Sequence, residues 1–368
     1  MKKIYTQPRI EAVATTPQQM LCASGGIKAQ ISGYKQNTGG GFSQTFVWLA
    51  GAVCSSLLFL GTACSTNNPD QPKQQAELKP RTLVVTQQAV SQVTPESAVR
   101  RLPQATITEN GGVLDALWSV NDEISFRNIS HETYTPSGTT DQVRLDGVLL
   151  ADRAARIASF ASNDKVWCAL DDRLLLVYPK ATAPAITVSG NPLNATYSIS
   201  LTGQDGTLAT IANTYHHSYG IATITEVTPT VANAVVAEMQ NLLTVCKFSF
   251  VDKDEPGTLL SVSSLSISYG DGTYANTYPG TATVTVTQGT SSTVAVTPTN
   301  QSKAAGGYAL SVVPTGNPTE VYVALLPEAD ATTYSFRLES GTDTYTGTAT
   351  ARLIAGEYVV ATGLKLTK

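Results

Sequence analysis

The chain has 368 residues, a net charge of −4 at pH 7 and a pI near 5.5, so it offers no basic surface and nucleic acid drops out as a partner class. Charged residues make up 14% of it, well below the usual quarter, and threonine and serine take their place. Such a Thr- and Val-rich composition favours strands over helices.

Residues 1 to 45 read as a long leader, with Lys28 and Lys35 for positive charge and Gly25-Gly26 and Gly39-Gly40-Gly41 as breaks. From Phe46 to Ala63 no side chain is charged, a run at the lower limit for crossing ~30 Å of hydrocarbon. A spanning helix, a secretion signal and a buried core segment compete for it. The run ends in small residues and passes into Ser65-Thr66-Asn67-Asn68 rather than into Lys or Arg, which favours a signal. Leu60-Gly61-Thr62-Ala63-Cys64 resembles the lipobox of bacterial lipoproteins, with its leucine one place further from the cysteine than the pattern has it. That resemblance implies cleavage before Cys64 and a lipid on its thiol. The expected organisation is a leader over 1–63, a Gln-, Asn- and Pro-rich tether over 64–78, and folded parts over 79–238 and 239–368.

Along the folded part, short alternating runs are separated by turn signals, the pattern of an all-β sandwich. Thr82-Leu83-Val84-Val85-Thr86 and Ile221 to Thr225 read as strands, while Asp164 to Asp172 and Val231 to Leu243 read as short helical or irregular segments. Leu265, Ile267 and Tyr269 alternate with serines, Ala282, Val284 and Val286 with threonines, and Tyr334, Phe336 and Leu338 with polar residues. Each run presents one apolar and one hydroxyl-rich face, as half-buried antiparallel strands do. Val321 to Leu326 is apolar on both faces, which suits a central strand; Tyr358, Val360, Thr362, Leu364 and Leu366 form the longest alternation and share one expected face.

Nothing in the sequence assembles an enzyme, a metal site or a cofactor pocket: no G-x-S-x-G, H-E-x-x-H or phosphate-binding glycine loop occurs. Of the three histidines, His131 and the pair His216-His217, the adjacent pair points to opposite strand faces and reads as surface or half-core. Asp252 to Gly257 reads as a solvated hairpin tip, and neither Asp122-Glu123 nor Asp171-Asp172 forms a carboxylate dyad by itself. Of five cysteines, Cys168 and Cys246 fall in the folded part; pairing is open to them, but Cys246 shares a face with Phe248 and Phe250 and reads as a buried small hydrophobe.

Several segments taken together resemble the fimbrillin-like proteins of Bacteroidales. They are Leu117-Trp118 through Ile124-Ser125-Phe126, Leu174 to Pro179, Gly203-Gln204-Asp205-Gly206-Thr207-Leu208, Asn241 to Phe250, Tyr322 to Pro327, and Ala355-Gly356-Glu357-Tyr358-Val359-Val360, in the family's order. The resemblance implies two tandem transthyretin-like antiparallel β-sandwiches, a lipoprotein precursor on the outer membrane, and a role in type V fimbriae and adhesion. It further implies trypsin-like cleavage after an arginine, here Arg100 or Arg101, and release of a first strand containing Leu83, Val84 and Val85. The vacated groove would take a strand from another fimbrial subunit by β-augmentation. Val360 to Lys368 is either that donor or a closing strand, and Arg100-Arg101 either a cut site or an ordinary loop. Partners implied are other fimbrial subunits, the outer membrane through the lipid, and a host glycan or protein. The competing class is an outer-membrane glycan-binding β-sandwich lipoprotein, suggested by the Tyr-rich stretch from Tyr269 to Tyr278 and weakened by an aromatic content of 7%.

Overall fold

The structure is a computed structural model that describes residues 77–88, 106–110, 112–180, 185–272, 274–288, 292–299 and 309–368. In chain order the strands are β1 (Lys79–Gln87), β2 (Thr106–Asn110), β3 (Val113–Leu117), β4 (Glu123–Asn128), β5 (Asp146–Ala151), β6 (Ser159–Cys168) and β7 (Arg173–Tyr178). They continue with β8 (Thr187–Ser189), β9 (Asn194–Ser200), β10 (Ser218–Val227), β11 (Val231–Val236), β12 (Gln240–Asn241), β13 (Thr244–Asp252) and β14 (Ser264–Tyr269). The last are β15 (Thr281–Thr287), β16 (Thr293–Thr299), β17 (Leu310–Val312), β18 (Glu320–Leu325), β19 (Glu328–Ser340), β20 (Asp343–Leu353) and β21 (Tyr358–Leu366). Among the described residues the helical exceptions are the turn Leu208–Thr210 and the π-turn Ile211–Tyr215 that continues it.

Seven strands close on themselves. Their order is β11-β1-β6-β5-β4-β7-β10, and β10 pairs back onto β11 to complete the ring; the two-residue β12 adds to β10. Inside lie Leu83, Val85, Phe126, Leu149, Phe160, Leu174 and Leu176, with Ala222, Ala232 and Ala234 where the space is narrow. Trp118 is fully buried there, edge-on to Phe160 at 4.9 Å and to Tyr178 at 5.4 Å. The helical or irregular reading gives way to strand over 231–236, because its alanines, good helix formers in isolation, are the small inward-facing residues that β11 needs, and over 164–168, which ends β6; 169–172, 237–239 and 242–243 are irregular as expected.

The remaining strands form a three-stranded sheet β18-β13-β21 and two four-stranded sheets, β17-β14-β19-β20 and β16-β15-β9-β8; β2 and β3 form a hairpin of their own. The sheet β16-β15-β9-β8 draws strands from both sides of residue 238. The first two pack face to face, with Phe336 of β19 5.3 Å from Phe248 and 5.8 Å from Phe250 of β13. The runs through Leu265, Val284 and Phe336 bury the apolar faces their alternation assigns. Strand β7 is buried on both faces, because Leu174 and Leu176 fill the barrel while Leu175 and Val177 join the core built on β13 to β21. Strand β18 is an edge of its sheet rather than its centre; its second face is apolar because the β2–β3 hairpin and the π-turn cover it.

In β21 the long alternation breaks. Phe248 of β13 lies opposite Ala361 and Phe250 opposite Leu364, so β21 carries one extra residue at Gly363, whose φ is +65° and whose N–H donates to Ser249 Oγ at 2.9 Å. Leu364 and Leu366 are buried, whereas Val360, of the same expected face, is 44% exposed.

Candidate strand-exchange site

A ring of seven strands cannot be antiparallel at every step, since strand direction must alternate around it. One neighbour pair has to be parallel, and here it is β1 with β11; β1 is antiparallel to β6 on its other side. Remove β1 and six strands remain, antiparallel throughout, with β6 and β11 as open edges. Leu83 and Val85 point into the barrel at 1% and 0% exposure, Val84 faces the other way and is half-buried; Val84 and Val85 pair with both neighbours, Leu83 with β11 alone. Each inward side chain contributes about 1.5–3 kcal/mol of burial that any replacement strand must match.

Several polar contacts fix the register of β1. Thr82 N–H donates to the Thr230 carbonyl at 2.8 Å, and Leu83 N–H donates to Ser162 Oγ at 2.9 Å where the ladder to β6 is interrupted. At the far end Trp118 Nε1 donates to the Gln87 side chain at 3.4 Å. Arg81 is buried; its Nε donates to the Thr228 carbonyl at 2.7 Å and its Nη1 to the Cys168 and Lys79 carbonyls. Nearby Asp172, also buried, accepts from Asn128 Nδ2, the Ala169 N–H and His131 Nε2, each at 2.8 Å. The carboxylate thus holds the β6–β7 turn to the chain after β4. Burial pushes the Cys168 thiol up to about 11, against the pull of Arg81.

The second core repeats the arrangement in part. There β13 is parallel to β21 and antiparallel to β18, as β1 is to β11 and β6. The closing step differs: β10 and β11 pair along their length, whereas β20 and β21 meet through the reciprocal bonds of Thr346 and Thr367, both 2.8 Å. Beyond that bridge the strands part over an apolar cavity of about 150 Å³, lined among others by Cys246, Phe336, Ala349, Ala351, Val359 and Ala361.

Cys64, Arg100 and Arg101 lie outside the described residues, as does the apolar run from Phe46. No helix among the described residues is long and apolar enough to cross a membrane. Cys168 and Cys246 are both free and buried, and Cys246 sits beside Phe248 and Phe250 as its alternation requires. The histidine reading needs correction: His216 and His217 are 7% and 1% exposed, carried inward by the turn that leaves the π-helical segment. Of the Tyr-rich stretch, Tyr269 and Tyr278 are buried and Tyr274 is exposed, so it presents no aromatic platform. Sequence reasoning missed Arg81, Gln87 and Asp172; a charged or amide residue in phase with inward Leu83 and Val85 was the available signal for the first two.

No protein-family model matches the chain, and no curated protein matches it in sequence. Among solved structures, a candidate cell adhesion protein from Bacteroides ovatus is similar, with 13% identity, a TM-score of 0.40, and coverage of 76% of this chain and 90% of that one. A second from Bacteroides eggerthii has 9% identity and a TM-score of 0.33 over 77% of this chain and 85% of its own. A streptococcal ancillary pilin has 12% identity and a TM-score of 0.26 over 79% and 69%.

Proposed function

We propose that this chain is a fimbrial subunit or accessory protein that assembles by β-strand donation at the cell surface and serves adhesion. In this reading Cys64 carries the lipid of an outer-membrane precursor, cleavage after Arg100 or Arg101 frees β1, and the groove between β6 and β11 accepts a neighbour's strand. The two folded parts act as tandem transthyretin-like domains, the second completed by β8 and β9 from before residue 238. The observation that carries the reading is the position of β1: it makes the parallel step of an otherwise antiparallel ring, and its loss opens two edges over an apolar floor. Strand addition satisfies those edges with backbone hydrogen bonds and fills the floor with alternate side chains.

Strand β21 is the candidate donor. It is held on one side by β13 and on the other by little more than the Thr346–Thr367 bridge. Its Leu364-Lys365-Leu366 offers two buried apolar side chains two residues apart, the spacing of Leu83 and Val85. Mass spectrometry of subunits taken from assembled fibres tests the reading. An N-terminus at Leu102, with no lipidated Cys64, is the expected result; lipidated Cys64 within fibres would overturn polymerisation by this route.

A further inference from the structure

The β2–β3 hairpin follows a cut after Arg101 by four residues and pairs with no other strand among the described residues, yet it is fastened at three points. Glu109 of β2 reaches the sheet β18-β13-β21 and is bonded by every strand of it. Its Oε2 accepts from Lys247 Nζ of β13 at 3.0 Å and from Tyr322 Oη of β18 at 2.6 Å; its Oε1 accepts from Tyr358 Oη of β21 at 2.8 Å. Lys247 also pairs with Glu320 at 3.0 Å. Beneath this cluster Ile107 packs with Val245, Ile211 and Ala212. On the hairpin's second strand, Asp115 pairs with Arg156 of the β5–β6 connection at 2.7 Å.

Partial burial acts to raise the Glu109 carboxyl, but the hydrogen bonds from Tyr322, Lys247 and Tyr358 outweigh it and hold it below the usual carboxylate range. With Lys247 at 13% and Glu109 at 21% exposure, the pair is shielded enough for its charge-assisted bonds to exceed those of a surface ion pair.

We propose, resting on the processing read above, that the hairpin is a clasp: when β1 leaves, Glu109 and Ile107 keep the new N-terminal end fixed on the sheet β18-β13-β21. Without it the newly cut end would be free to peel from that sheet as far as Trp118, which follows β3 directly and packs in the barrel core. The clasp therefore confines the loss to β1 and leaves the groove's end closed.

Hydrogen exchange by mass spectrometry on the full chain, before and after arginine-specific cleavage, tests this, with Glu109→Ala and Glu109→Gln beside the wild type. In the wild type, 79–87 should lose protection on cleavage while 106–117 keeps it. In Glu109→Ala, 106–117 should exchange about tenfold faster once cut, the loss of one or two charge-assisted bonds, with Glu109→Gln between the two. Equal hairpin protection in Glu109→Ala and wild type would overturn the clasp, as would loss of 106–117 together with β1 in the wild type. If 79–87 stays protected after cleavage, the processing fails instead; the clasp is then judged by 106–117 in uncut Glu109→Ala, where unchanged exchange overturns it.

Discussion

Arg81 is a buried cation whose hydrogen bonds go to backbone carbonyls on β1, on β6 and in the loop before β11. Replacing it with methionine keeps the stem but leaves the Thr228 and Cys168 carbonyls without that donor, a loss on the order of 2 kcal/mol. Urea unfolding of Arg81→Met should show a lower midpoint at unchanged slope. The two buried histidines predict a pH response. Burial pushes both down to about 4, and His217 adds to the effect on His216. An unfolded imidazole titrates near 6.5. Between those values the unfolded chain binds more protons than the folded one, so stability held above about pH 6.5 falls as pH drops toward 4. The melting temperature should decline through that window, with a shallower slope in the His216→Gln/His217→Gln double variant.

At the scale of the element, β1 and β21 are the strands that the proposed exchange moves. Departure of β1 opens the barrel wall beside Cys168, which lies opposite Lys79, while Cys246 stays in the second core. Brief alkylation followed by peptide mapping should therefore label Cys168 at least about tenfold faster after cleavage and leave Cys246 unchanged, since buried thiols are inert. Labelling of Cys246 alone would contradict release of β1. In β21, Gly363 permits the extra residue that turns Leu364 and Leu366 inward. Gly363→Val forces a β-branched residue into a left-handed conformation, at a cost of about 1–2 kcal/mol or more, and should lower thermal stability measurably.

For the whole molecule, the proposal requires that the groove left by β1 and the donated β21 belong to different copies. A synthetic peptide of residues 358–366 should then cap growth of processed protein, seen as shorter particles by light scattering, and a peptide with Leu364 and Leu366 both changed to aspartate should not. Because Tyr358 of β21 is one of the Glu109 donors, removing β21 from its own sheet would also loosen the hairpin.

The sequence by itself determined the all-β class, the first strand around Leu83 to Val85, and which faces of β14, β15 and β19 are dry. Alternation of apolar and polar residues over a few positions reports burial directly, because neighbouring side chains on a strand leave on opposite faces. Only the tertiary structure decided what each strand pairs with. Closure of the ring, the parallel step at β1, the face switch at Gly363, the edge position of β18 and the convergence of Lys247, Tyr322 and Tyr358 on Glu109 all join residues far apart in the chain. Local pattern encodes wet and dry sides, but pairing and side-chain convergence are set by the packing of whole sheets.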